Sequence, residues 1–288
     1  MFAEEWPLIL FTLLSQLAVG TYIFIVIIRS LNKNIDRQLS INVTKQGLFL
    51  VGPVMFIALI LSVFHLGTPL GAYRALLNLD SSWLSREILF AGGFFVLWIV
   101  SYYLDRKGAW NQIVGWVTSI VGLGAVFSMA SIYFVTIKPA WIDVNTYLVF
   151  FGTTVVFGAV AVIMVVLQSK EEKTEALMKV LKVFGLAGLA AIVIQLIYLP
   201  VYAAGLSVDG GLAGAETASL FAGKYAYSII IRWILSITGL AIIGLIFYKN
   251  IKPQTQCKIC YAAFALVIIG EFLGRFIFYG TGVSMIVG

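Results

Sequence analysis

Long apolar runs broken by short charged or turn-forming stretches dominate the chain. Eight such runs stand out, at residues 6–28, 46–65, 88–104, 110–135, 146–167, 180–202, 225–248 and 259–279. A membrane-spanning helix needs about 20 such residues and a barrel strand only about 10, so the runs predict helices and not strands. The first has Pro7 at its start, where a missing N–H costs nothing, and Gln16 as its polar exception. Asp105-Arg106-Lys107 closes the third, and a turn with Pro139 and Trp141 joins the fourth and fifth. The amphiphilic stretch Ser169 to Lys179 separates the fifth helix from the sixth and is the natural midpoint, and the eight helices are expected to form two four-helix halves. Gly205 to Gly223, rich in Gly, Ala and Ser, is too short in apolar length to span and reads as an exterior loop or a half-buried re-entrant piece.

Composition agrees with this pattern. Hydrophobic residues make up 61% of the chain against 11% charged, and mean hydropathy is +1.02. These values define an all-α integral membrane protein in a lipid bilayer. Glu4 and Glu5 precede the first run without a base, the wrong polarity for a signal peptide, so that run is expected to stay as a helix. Basic residues sort cleanly between the two sides. Thirteen of the 19 fall in the loops after the first, third, fifth and seventh helices, which places those loops in the cytoplasm and both termini outside. The net charge of +6 is then topology, not a nucleic-acid footprint.

His65, the only histidine, stands at the outer end of the second helix in His65-Leu66-Gly67-Thr68-Pro69. Glu87 follows Arg86 at the outer start of the third. A histidine and a carboxylate at one depth suit a proton acceptor and relay for a hydroxylated ring entering from lipid, such as a quinol. They equally suit a helix cap and a first-turn acid favoured by the helix dipole. In the eighth helix Glu271 and Arg275 are spaced i, i+4 and can neutralise each other as a buried ion pair. Gly270 and Gly274 beside them allow another helix to come close. Arg275 and Tyr279 are alternatively a docking or substrate-facing pair, and Arg232 is a snorkelling base or a site residue.

One histidine excludes a bis-histidine haem, and two cysteines, Cys257 and Cys260, exclude a four-cysteine cluster or a structural zinc site. No metal is expected in this chain, so electrons taken here must pass to a partner. There is no phosphate loop, dinucleotide turn or nucleophile motif. The prolines do not break helices in the repeated manner of a secondary transporter, although that class remains open.

Glu5-Trp6-Pro7-Leu8, the His65 motif, Ser85-Arg86-Glu87-Ile88 and Gly270-Glu271-Phe272-Leu273-Gly274-Arg275 with Phe278-Tyr279-Gly280 together resemble the membrane anchor subunit of bacterial dimethyl sulfoxide reductase, the DmsC family. The resemblance spans essentially the whole sequence. It implies an eight-helix anchor of the cytoplasmic membrane that oxidises menaquinol, with the quinol site on the outer face. Electrons would pass to a ferredoxin-like four-cluster iron-sulfur subunit and on to a molybdopterin catalytic subunit. The family's quinol-site histidine and glutamate fall on His65 and Glu87, with Thr68 and Ser85 as supporting polar groups. Arg86 and Gly71 depart from the best-known members. An assembly anchor without a working quinol site is the alternative within the same family.

Overall fold

A computed structural model describes residues 2–65, 78–248 and 253–285. Among the described residues there are nine helices and no strand: α1 (Phe2–Ser30), α2 (Arg37–His65), α3 (Trp83–Arg106), α4 (Gln112–Phe134), α5 (Val144–Gln168), α6 (Glu175–Asp209), α7 (Gly211–Ala222), α8 (Ala226–Tyr248) and α9 (Pro253–Gly280). All except α7 are long and apolar enough to cross a membrane, which agrees with the eight expected spans.

The differences lie at the ends, where capping extends helices beyond the apolar runs. α2 starts at Arg37 because Asp36 Oδ1 accepts the Leu39 N–H at 2.9 Å. Ser82 accepts the Ser85 N–H and starts α3 at Trp83, while Thr174 accepts the Leu177 N–H and starts α6 at Glu175. Such a cap satisfies donors that have no partner inside the helix. The segment expected as a loop or re-entrant piece is helical instead. α6 continues past Pro200 to Asp209, and α7 follows after a turn in which Gly211 adopts φ +58°. Alanine favours helix strongly, and the left-handed glycine separates the two helices.

α1 and α5 form the centre. Within their most apolar windows 78% and 83% of residues are buried, against 28–50% for the other spans, whose large apolar side chains face outward as lipid requires. The two central helices touch backbone to backbone. A Cβ on Gly20 would strike Thr154 O, and one on Gly158 would strike the Gly20 carbonyl group. Such close approach maximises packing where no hydrophobic effect drives helices together.

At the end where α1 and α3 finish, Arg29 is 1% exposed. It meets Asp105 Oδ1 of α3 at 2.5 Å, donates to Thr44 Oγ1 of α2 at 2.7 Å and lies over the Trp110 ring. This residue was expected in a loop, yet its paired charge pins three helices. Because the two nearest atoms facing Gly158 are backbone and cannot rotate away, Gly158→Leu should destabilise the bundle by about 1–3 kcal/mol or more. Thermal unfolding in detergent, compared with Gly185→Leu, whose nearest neighbours are side chains at ordinary contact distance, measures the difference.

Candidate functional site

The inward stripe of α3 runs through Glu87, Ala91, Phe94, Trp98, Ser101 and Asp105, a helical repeat that places an acid on the buried face. Because α3 starts at Trp83, Glu87 lies one turn inside the helix and not in its first turn. Glu87 is only 6% exposed. Its neighbour Arg86 turns the other way, donating to Leu79 O at 2.8 Å and Asp80 O at 2.7 Å and stacking on Trp83, so it secures the turn before α3.

Glu87 faces a cavity of about 180 Å³. Leu8 and Phe11 of α1, Leu59 and Ser62 of α2, Leu84, Ile88 and Ala91 of α3, and Ile132 and Tyr133 of α4 complete its walls. Most of the lining is therefore hydrocarbon, with three polar groups: the Glu87 carboxyl and the hydroxyls of Ser62 and Tyr133. No hydrogen-bond partner for the Glu87 carboxyl is present among the described residues. A buried acid with no partner among the described residues, in an apolar cavity, suits a ligand that brings its own polar group.

The main chain of His65 ends α2 one turn beyond Ser62, while its side chain lies outside the described residues, as do Gly67, Thr68, Pro69 and Gly71. Ser85 is buried but is not part of the cavity wall. Tyr133 was not singled out in the sequence, where a tyrosine near a helix end is ordinary interfacial usage.

Behind the cavity lies a buried polar network. Tyr133 Oη and Tyr279 Oη are 2.7 Å apart. Thr12 neighbours Tyr279, and Arg275 lies close to both phenols. The Arg275 guanidinium sits 3.6 Å from the Phe150 ring centre and donates through Nη2 to Gln16 Oε1 at 3.0 Å. Tyr279 thus stands one residue behind the cavity and does not line it.

Glu271 does not pair with Arg275 along its own helix. Its oxygens accept from Thr153 Oγ1 of α5 at 2.6 Å and Ser236 Oγ of α8 at 3.1 Å, and its ion pair is with Arg232 of α8 at 3.9 Å. Arg232 is buried, donates to Gln195 of α6 at 3.0 Å and does not snorkel. The expected closeness at the glycine pair is present, since a Cβ on Gly270 or Gly274 would strike Ser236 or Arg232. Helical spacing makes an Arg275 contact possible, but α8 supplies the nearer cation.

The fold and site together describe a multi-pass helical membrane protein with an acid-bearing apolar cavity near one end of the bundle. The protein belongs to the DMSO reductase anchor subunit family (DmsC), whose model matches residues 1–281. It is 28% identical over 287 residues to the YnfH subunit of an anaerobic dimethyl sulfoxide reductase of Escherichia coli K12, covering 98% of this sequence and 96% of that one. The C subunit of anaerobic dimethyl sulfoxide reductase from Haemophilus influenzae is 25% identical over 280 residues, covering 96% and 94%. The C subunit from Escherichia coli K12 is 25% identical over 297 residues, covering 98% and 96%. Family membership makes this protein the membrane anchor of a reductase complex.

Glu271→Ala would leave Arg232 without its carboxylate and cost about 3–5 kcal/mol. Glu271→Gln, which keeps an acceptor for Thr153 and Ser236, should be milder. Limited proteolysis and thermal unfolding of the membrane-extracted protein rank the two.

Proposed function

We propose that this anchor oxidises menaquinol at the Glu87 cavity and passes the electrons to a ferredoxin-like iron-sulfur subunit serving a molybdopterin catalytic subunit. The observation that carries the reading is the buried Glu87 carboxyl facing an apolar cavity beside the Tyr133 hydroxyl. A quinol ring matches such a space: its faces are hydrocarbon and its hydroxyls need hydrogen-bond partners. Glu87 holds a ring hydroxyl. His65, one turn beyond Ser62, accepts or relays the released proton to water. Thr68 and Ser85 support the polar rim, Ser85 from behind the wall.

The reaction releases two protons and two electrons from each quinol. The proposed setting is a bacterial cytoplasmic membrane with both termini outside, the eight spans forming two four-helix halves, and the cavity in the outer part of the bundle. The iron-sulfur partner docks on that face. Protons and electrons then emerge on one side, and this subunit conserves none of the roughly 2.3 kcal/mol per charge per 100 mV that crossing the membrane would yield.

In the assembled complex Glu87→Gln should lower quinol-driven acceptor reduction about a hundredfold, within the usual range for loss of a proton-handling group. His65→Arg should abolish it. Reduction driven by a soluble artificial donor, which reaches the catalytic subunits directly, should stay unchanged and report intact assembly. Full quinol turnover in both variants would overturn the assignment of the quinol site to Glu87 and His65.

A further inference from the structure

At the end of the bundle opposite the Glu87 cavity, a groove of about 480 Å³ opens between the start of α2, the finish of α3 and the finish of α5. Its rim and its floor differ in character. Lys45 and Phe49 stand i, i+4 on α2, and Tyr102 and Arg106 stand i, i+4 on α3, so each helix turns one base and one aromatic ring into the groove. Because α2 leaves this end and α3 arrives at it, the base is the outer member of both pairs. The third wall repeats the order, with Val165 on α5 and Lys170 just past its finish. The Phe49 and Tyr102 rings, 6.0 Å apart, join α2 to α3 across the floor.

Other bases at this end find partners in the protein: Arg29 pairs with Asp105, Lys179 with Glu175, and Lys173 donates to the Ser169 carbonyl. Lys45, Arg106 and Lys170 are exposed, and their side chains make no ion pair or hydrogen bond among the described residues. Glu171, the one acid of the wall, is already engaged. Its Oε1 accepts from Asn42 Nδ2 of α2 at 3.0 Å, and it lies close to Lys173. From the floor a row of rings follows the α2–α3 seam toward the middle of the bundle. Tyr102 stacks on Trp98 with ring centres 5.4 Å apart, Trp98 on Phe95 at 5.6 Å, and Phe95 on Phe56 of α2 at 6.0 Å. At the rise of a helix, the step from Tyr102 to Phe95 carries this row about 10 Å inward. Phe49 and Phe56 are half exposed, so the row faces lipid.

We infer that this groove binds an anionic phospholipid, with its phosphate among Lys45, Arg106 and Lys170 and its first acyl segment laid on Phe49 and Tyr102 along the row of rings. A soluble anion would satisfy the bases and leave the rings uncovered. A zwitterionic lipid would cover the rings but bring its own cation against three others. A lipid of net negative charge meets both demands, as in other basic pockets between spanning helices. Bound there, it joins α2, α3 and the α5–α6 link through one headgroup. The site is independent of the quinol reading, since it lies at the other end of the bundle and shares no residue with the Glu87 cavity.

The test is native mass spectrometry of the detergent-purified reductase complex, titrated with phosphatidylglycerol and with phosphatidylcholine of the same acyl chains. One base beside an anionic headgroup changes affinity about fivefold, so wild-type protein should hold phosphatidylglycerol about a hundredfold more tightly than phosphatidylcholine. Lys45→Gln, Arg106→Gln and Lys170→Gln should each lose about fivefold of that preference, and the three together should abolish it. Thermal unfolding of the lipid-stripped complex should stay unchanged in these variants, and the single substitutions carry the test should the triple one fail to assemble. Phe49→Ala should weaken both lipids alike. Equal affinities of the wild type for the two lipids, or a preference that the basic substitutions leave intact, would overturn the proposal. Displacement of the lipid by inorganic phosphate, beyond what chloride does at equal ionic strength, would make the groove a site for soluble phosphate and overturn the lipid assignment.

Discussion

Charge buried in a lipid-embedded bundle has to be compensated by other protein groups, and that constraint organises this molecule. Glu271 of α9 gathers Thr153 from α5 and Ser236 and Arg232 from α8, while Arg275, one turn further along, reaches Gln16 on α1. These contacts tie α9 to three other helices, and Gln195 extends the tie to α6 through Arg232. At the opposite end of α1, Arg29 and Asp105 bind α1 to α3 in the same way. Between these two polar layers the α1–α5 contact is made by glycines at backbone distance.

The cavity borders the first of these layers. Its hydrocarbon walls come from α1 to α4, whereas the phenol pair of Tyr133 and Tyr279 leads to α9 and the Arg275 charge. The first four helices shape the space, and the last one sets the electrostatics behind it. Glu87 is common to both, since it lines the cavity and also acts on Tyr133 and Tyr279.

Much of this was legible in the sequence. Eight apolar runs mark eight spans because a helix in lipid needs an unbroken apolar length, and nothing else in the sequence imitates that signal. The ends were less legible: Asp36, Ser82 and Thr174 carry polar segments into helices by capping, which hydropathy does not register. Glu87 was visible as an acid beside an apolar run, and its inward stripe shows the direction it faces. The partner of Glu271 was not visible, because spacing shows which residues share a face but not which neighbouring helix brings a closer cation. Tyr133 carried no signal, being one of 13 tyrosines, most of them near helix ends or in apolar company.

The central claim is that a quinol occupies the cavity walled by α1 to α4. Photolabelling of the assembled complex with an azido-substituted quinone, reduced in the dark before irradiation and mapped by peptide mass spectrometry, tests it most directly. Label should fall on segments around Leu8–Phe11, Leu84–Ala91 and Ile132–Tyr133, and excess unlabelled quinol should suppress it. Label confined to other helices, or label on these segments that quinol does not displace, would contradict the account.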